Sequence, residues 1–350
     1  MRILFCGPGY GAGNIGDDAI LAGALRIARG HLPKDTKYGA IVYTEYFDAK
    51  RSDTDVVFLY PGDIVPAFEW ATHIVLGGAT LLGNWGVPRC ARLIKLANAL
   101  DKPICMLGVG VSDALTADNL RHIKDVFSSL SLITVRSDED RRIALSYGLA
   151  SDVVKVSADL AFAATYGQPQ EVSKSSLGIN LVDEHLPKNY AYLEHMKRFL
   201  SEYPTKYKLN FVCGEARRNL YFDYEMLHQL HTQFGGALIS EHFEYRDFVR
   251  LLSSYALVFT MRMHMVIFCA VAGVPCLPLI REKKTELMAR SLGLTNMLHL
   301  NDAYGTFALT FADCLSLPKS ALANADYVRT LKSDAYQING RLLESWCKDV

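Results

Sequence analysis

The segment Arg2-Ile3-Leu4-Phe5-Cys6-Gly7-Pro8-Gly9-Tyr10-Gly11-Ala12-Gly13-Asn14-Ile15-Gly16-Asp17-Asp18-Ala19-Ile20 decides how the rest of the chain is read. A short apolar run stops at a glycine-rich stretch, and a helix-period pattern over Asp18–Arg29 follows. Strand, loop and helix in that order open a strand–helix–strand unit. The same alternation continues outward. Apolar runs at Ala40–Tyr43, Val56–Tyr60, His73–Leu76, Ile104–Val109, Leu132–Val135 and Val153–Val156 are joined by helical patterns at Arg89–Leu100, Ala117–Leu130 and Glu139–Tyr147. This spacing predicts a mainly parallel sheet covered on both faces.

A polar, Pro-containing stretch between Tyr166 and Ser176 interrupts the pattern, as a domain linker does. The alternation then restarts with strands at Leu177–Leu181, Leu209–Cys213, Ala237–Ile239, Leu257–Thr260 and Cys276–Leu279. Helical patterns at Tyr190–Leu200, Tyr221–Phe234, Tyr245–Ser253, His264–Ala272 and Glu282–Leu292 separate them. The fold expected is α/β, with two Rossmann-like domains facing a cleft in the GT-B-like manner. Residues 1–168 form the first domain, 176–302 the second, and 303–350 a C-terminal helical tail. A chain of 350 residues suits two cores of about 150 residues each.

Composition excludes several classes. Lys plus Arg and Asp plus Glu both number 37, so the formal charge is zero, and no nucleic-acid partner is expected. The opening apolar run ends too early for a signal peptide. The most apolar later stretch, Met265–Val274, falls well short of the roughly 20 residues that cross a bilayer. The eight cysteines form no C-x-x-C pair, which points to reduced thiols in a cytoplasmic protein, with no metal site expected.

Gly11-Ala12-Gly13-Asn14-Ile15-Gly16 matches the dinucleotide fingerprint G-x-G-x-x-G, but it begins several residues past the strand. Asp17 and Asp18 at the helix start would also repel a pyrophosphate. No nicotinamide or flavin cofactor is therefore expected. Five glycines in ten residues instead suit a backbone approaching a bound sugar, with Asn14 and Asp17 beside it. The Gly77-Gly78 turn after the next buried run reads either as a second close approach to ligand or as close strand–helix packing.

Ligands of open α/β sheets lie beyond the carboxyl ends of the strands. Cations follow three such ends: Arg136 after Leu132–Val135, Arg262 and His264 after Leu257–Thr260, and Lys283 and Lys284 after Cys276–Leu279. Each alone has an ordinary reading as an ion-pair partner or a helix cap. Together they suit a small, multiply charged anion.

Gly13-Asn14-Ile15-Gly16-Asp17-Asp18-Ala19-Ile20, Gly77-Gly78-x-x-Leu81, Val135-Arg136-Ser137-Asp138-Glu139 and Ser157-Ala158-Asp159-Leu160-Ala161 occur in an order that resembles the polysaccharide pyruvyl transferases. Arg262-Met263-His264 through Gly273-Val274-Pro275 to Lys284 continues the resemblance. It implies transfer of a pyruvyl group from phosphoenolpyruvate, a co-substrate, onto a sugar or glycan as a ketal. It places the donor on Arg136, Arg262, His264 and Lys284, the same residues reached from the strand ends. Ala79 stands where the family usually has a third glycine, and Val111-Ser112-Asp113 replaces its usual Gly-Pro.

The donor carries about three negative charges near neutral pH, and Arg forks match both its carboxylate and its phosphate. Arg136 and Arg262 are expected to clamp it, with Lys284 as a further charge. His264 acts as general acid or phosphate ligand, since imidazole titrates near neutrality. Asp17, or Asp159 with less support, is expected to deprotonate the attacking hydroxyl. The acceptor side is expected in the first domain, on Asn14, Asp17, Gly77 and Gly78. The acceptor's carrier stays open among free, nucleotide-linked and lipid-linked forms, and a lipid-linked one would bring the protein to the inner membrane surface as a peripheral contact. The oligomeric state is likewise open. The competing readings are a nucleotide-sugar glycosyltransferase, with Glu241 or Glu244 on the ribose, and a non-catalytic anion- or glycan-binding relative.

Overall fold

A computed structural model describes residues 1–7, 9–43, 54–166, 175–182, 192–202, 207–216, 223–316 and 321–349. Most of the stretch read as the linker, and the starts of the helices expected from Tyr190 and Tyr221, lie outside the described residues.

Two compact units emerge. One combines Met1–Thr165 with Thr330–Val350, and the other spans Tyr166–Arg329. In the first unit the chain runs β1 (Arg2–Cys6), α1 (Ile15–His31), β2 (Lys37–Val42), β3 (Val56–Leu59), α2 (Ile64–Trp70) and β4 (His73–Gly77). It continues through α3 (Gly86–Ala99), β5 (Ile104–Val109), α4 (Ala117–Val126), β6 (Ile133–Val135), α5 (Asp138–Ser146) and β7 (Val154–Val156). These strands form one seven-stranded sheet in the order β3-β2-β1-β4-β5-β6-β7. Every pair is parallel.

The second unit holds β8 (Ser176–Asn180), α6 (Tyr192–Glu202), β9 (Lys208–Val212), α7 (Tyr224–Phe234), β10 (Ala237–Ile239), α8 (Tyr245–Leu252) and β11 (Tyr255–Thr260). After these come α9 (Met263–Ala272), β12 (Cys276–Ile280), α10 (Lys283–Ser291), β13 (Leu298–His299) and α11 (Tyr304–Ser316). The six-stranded sheet has the order β10-β9-β8-β11-β12-β13, again parallel throughout. Both sheets therefore reverse direction next to their first strand, between β1 and β4 and between β8 and β11. Such switch points open a crevice at the carboxyl edge, where ligands of this architecture bind.

Burial follows sheet position. Strands β5, β11 and β12 are buried along their whole length, because helices cover both faces of a parallel sheet. The edge strands β3 and β10 are only partly buried. Leu4, Leu76, Met106 and Ile133 sit in a core cluster of the first unit, and Ile179, Phe211, Phe259 and Leu279 in one of the second.

The stretch expected as a tail is helical but divides its packing. Phe307 and Phe311 of α11 stack near Phe199 and Phe259 in the second unit. Helix α12 (Ala325–Asp349) starts in that unit and ends on the first sheet. There Asn339 accepts from the Thr134 hydroxyl at 2.5 Å, and the Trp346 indole N–H donates to Ser131 at 2.9 Å. Arg26 of α1 lies 4.9 Å from the Tyr336 ring centroid, within cation–π range.

All eight cysteines are free thiols, and seven are buried. Burial pushes the Cys90 and Cys347 thiols up to about 12, and Cys6, Cys105 and Cys276 rise for the same reason. Thiolate is the reactive form, so the folded protein is expected to resist a thiol reagent at pH 8. A colorimetric thiol count should read fewer than about one thiol in minutes and all eight after denaturation.

No helix among the described residues is long and apolar enough to cross a membrane.

Candidate functional site

At the carboxyl edge of the first sheet, the glycine-rich loop folds back over its own strand. The Tyr10 ring is fully buried, and its hydroxyl donates to the Gly77 carbonyl at 3.1 Å. A Cβ at Gly7 would lie 2.0 Å from that ring, and one at Gly77 would lie 2.8 Å from its hydroxyl. These two glycines thus make room for a tyrosine at the β1/β4 switch point. Gly78 has φ +71°, and a Cβ there would meet Ile20 of α1 at 2.3 Å. Both glycines are closely packed, Gly77 against Tyr10 and Gly78 against Ile20.

Helix α1 begins in a conventional way. Asn14 caps it by accepting from the Gly16 N–H at 3.0 Å, and Asp18 accepts from the Gly11 N–H at 2.8 Å. Asp17, in the first turn, is 7% exposed. The acidic first turn offsets the positive end of the helix dipole.

Arg136 leaves β6 and turns inward. Its side chain is 4% exposed, with Nη1 3.3 Å from Asp159 Oδ2 and Nε 3.9 Å from Asp140 Oδ2. The guanidinium lies over Gly110, where a Cβ would stand 1.8 Å from Nη2. Both carboxylates are tied further. Asp159 accepts from the Ala161 N–H at 2.9 Å, and Asp140 from the Val111 N–H at 2.8 Å and the Ser137 hydroxyl at 3.0 Å. Asp159 is itself fully buried. The Arg expected to clamp a ligand is here the counter-ion of two internal carboxylates.

In the second unit the switch point carries a connected polar network. Asn180 ends β8 and Thr260 ends β11, and both are fully buried. The Thr260 hydroxyl donates to Asn180 Oδ1 at 2.8 Å and accepts from the Arg262 N–H at 3.0 Å. Asn180 Nδ2 donates to the Val212 carbonyl at 2.9 Å and to Asp223 at 3.2 Å. Asp223, 2% exposed, also accepts from the Gly214 N–H at 2.7 Å and from Arg262 Nη2 at 2.5 Å. Arg262 Nη2 reaches Glu215 at 3.2 Å. Arg262 is thereby fixed with its side chain 19% exposed. It occupies the N-cap position of α9 without capping it, and His264 lies in the first turn.

After β12, Glu282 joins Arg281 and Lys284, the latter at 2.6 Å. Burial pushes the Glu282 carboxyl up, but the two cations outweigh it and hold the group below its ordinary value of 4.5. Lys284 keeps 35% of its side chain exposed. Among the described residues no group of three His, Cys, Asp or Glu side chains is placed to hold a metal ion.

Of the residues expected at the site, Asn14, Asp17, Gly77, Gly78 and Arg136 lie in the first unit and Arg262, His264 and Lys284 in the second. Sequence reading missed Asp140, Asn180, Glu215, Asp223 and Glu282. Asn180 and Thr260 did carry a signal, since each is a polar residue closing an otherwise apolar strand. Glu244, offered as a ribose ligand, caps α8 by accepting from the Arg246 N–H at 3.1 Å.

Two parallel-sheet domains with this strand order define a GT-B-like α/β protein. The family model for polysaccharide pyruvyl transferase matches residues 14–282, so the chain belongs to that transferase family. No protein of curated function matches it in sequence. Among solved structures, HepE of Anabaena in complex with UDP is similar at TM-score 0.63 and 13% identity, covering 99% of this chain and 100% of that one. The UDP-GlcNAc 2-epimerase of Neisseria meningitidis bound to UDP-GlcNAc gives 0.65 and 13%, covering 98% and 100%. That of Methanocaldococcus jannaschii gives 0.63 and 11%, covering 99% and 100%. At such identities the likeness concerns the fold.

Proposed function

We propose that the protein transfers the pyruvyl group of phosphoenolpyruvate to a sugar or glycan acceptor as a cyclic ketal. The family match carries this reading, because residues 14–282 include Arg136, Arg262 and His264, with Lys284 two residues beyond. The second domain takes the donor and the first takes the acceptor, with Asn14 and Asp17 at the start of α1 on the acceptor side. Arg262 presents a fixed guanidinium to the donor, Lys284 adds a partly exposed ammonium paired with Glu282, and the start of α9 contributes its dipole. Arg136 acts through the turn it supports at Gly110.

A proton delivered to the methylene carbon turns it into a methyl group and leaves a cationic centre at the adjacent carbon. One acceptor hydroxyl adds there, and the carbon–oxygen bond to phosphate breaks. A second hydroxyl adds to close the ketal. Of the two hydroxyl protons, one restores the acid and the other leaves on hydrogen phosphate. His264 is the acid in this scheme, and Asp17 takes one hydroxyl proton in passing and gives it up to the departing phosphate.

Calorimetric titration with phosphoenolpyruvate tests the donor. Saturable binding is expected, about tenfold weaker in Lys284→Ala, which removes one exposed charge contact. His264→Ala should keep the binding and lose about 100-fold or more in turnover, the usual contribution of a general acid. Heat with UDP-sugars and none with phosphoenolpyruvate would replace this reading with the glycosyltransferase one.

A further inference from the structure

Where the loop after β4 enters α3, an indole stands in solvent: Trp85 is 61% exposed. Its backbone is held from both sides. Asn84 donates to the Ala114 carbonyl at 3.0 Å and accepts from the Thr116 N–H and the Asn119 amide, each at 2.9 Å. Gly86 lies so close to Leu81 that a Cβ would stand 2.4 Å from its carbonyl oxygen. These contacts fix the stretch of backbone from which the ring projects.

Polar and aromatic groups border the indole. The Arg89 guanidinium, one turn along α3, is 5.7 Å from the Trp85 ring centroid and 4.9 Å from that of Tyr60. The Tyr60 and Tyr43 rings are 4.7 Å apart, and the Tyr43 hydroxyl accepts a hydrogen bond from Arg89 and shares another with Tyr60. Tyr43, Tyr60 and Trp85 follow β2, β3 and β4, so all stand at the carboxyl edge of the sheet. The Tyr43 N–H donates to the Tyr10 carbonyl at 2.8 Å, which ties the cluster to the glycine-rich loop.

A pyranose has an apolar C–H face and a rim of hydroxyls. A rigid aromatic ring matches the face, and a guanidinium and phenols match the rim. An indole, with only two side-chain torsions, also loses little entropy on binding. We propose that Trp85, with Arg89 and Tyr60, forms a subsite that stacks a pyranose ring of the glycan acceptor. This rests on the reading of the first domain as the acceptor side.

Labelled protein on an array of immobilised glucans, galactans, mannans and uronate-containing glycans tests it, without donor present. Wild type should be retained on at least one pyranose glycan. Retention should fall at least tenfold in Trp85→Ala and stay within threefold in Trp85→Phe, which keeps a flat ring. Leu309→Ala, an exposed apolar position in the second domain, should change nothing and so controls for adhesion by apolar surface. Retention of wild type on no glycan, or equal retention of Trp85→Ala, overturns the subsite. The donor titration on wild type separates the two readings. Phosphoenolpyruvate binding with Trp85-independent retention removes the subsite alone, whereas Trp85-dependent retention without phosphoenolpyruvate binding removes the pyruvyl reading alone.

Discussion

Arg136→Ala is expected to destabilise the first domain by about 3–5 kcal/mol, the usual result of removing one partner from a buried ion pair. The substitution strands Asp159, which is fully buried, and weakens the setting of Asp140, which is 6% exposed. It also opens space over Gly110. In a domain of this size the loss corresponds to a Tm about 10 °C lower. Thermal and urea unfolding measure it. The double variant Arg136→Ala/Asp159→Asn should recover part of the loss, because the second change removes the uncompensated charge. An Arg136→Ala protein that melts like wild type but binds phosphoenolpyruvate at least tenfold more weakly would return Arg136 to the donor clamp expected from its position at a strand end.

That contrast shows where sequence reading stops. The position of Arg136 at the end of an apolar run was legible, because strand ends are local features. Its partner Asp159 lies 23 residues away across a strand, so the direction of the guanidinium was not. The same limit applies to Gly77 and Gly78. Two glycines after a buried strand require a close approach, but only the fold identifies the approaching groups as Tyr10 and Ile20. Alternating runs gave the long central strands and their helices to within a few residues. Elements too short to show a period were missed: β13 has two residues, and α2 has seven with Pro66 in its first turn. The divided packing of the 303–350 stretch was equally hidden, since both α11 and α12 simply read as helix.

Arg262 was found by the same strand-end rule, and there the structure adds the apparatus that holds it. Asp223 and Glu215, both between β9 and α7, hold its guanidinium, while Asn180 braces Asp223 and Thr260 accepts the Arg262 N–H. Such a network lowers the cost of ordering the fork when an anion arrives. After β12 a separate group pairs Glu282 with Arg281 and Lys284. Carboxylates stand against the cations in each group, so in the proposed reaction the planar shape of the Arg262 fork has to recognise the donor. Arg262→Lys is accordingly expected to lower kcat/KM for phosphoenolpyruvate about 100-fold, or about 2.7 kcal/mol. One ammonium cannot satisfy Asp223 and Glu215 and still present a planar fork. Lysine keeps the positive charge, so the fold should survive, with a Tm within a few degrees of wild type. Asp223→Asn should act in the same direction through Arg262, raising KM for the donor more than it lowers kcat. Arg262→Lys with normal stability and normal kcat/KM would remove the fork from the reaction, leaving Lys284 and the start of α9 to hold the donor.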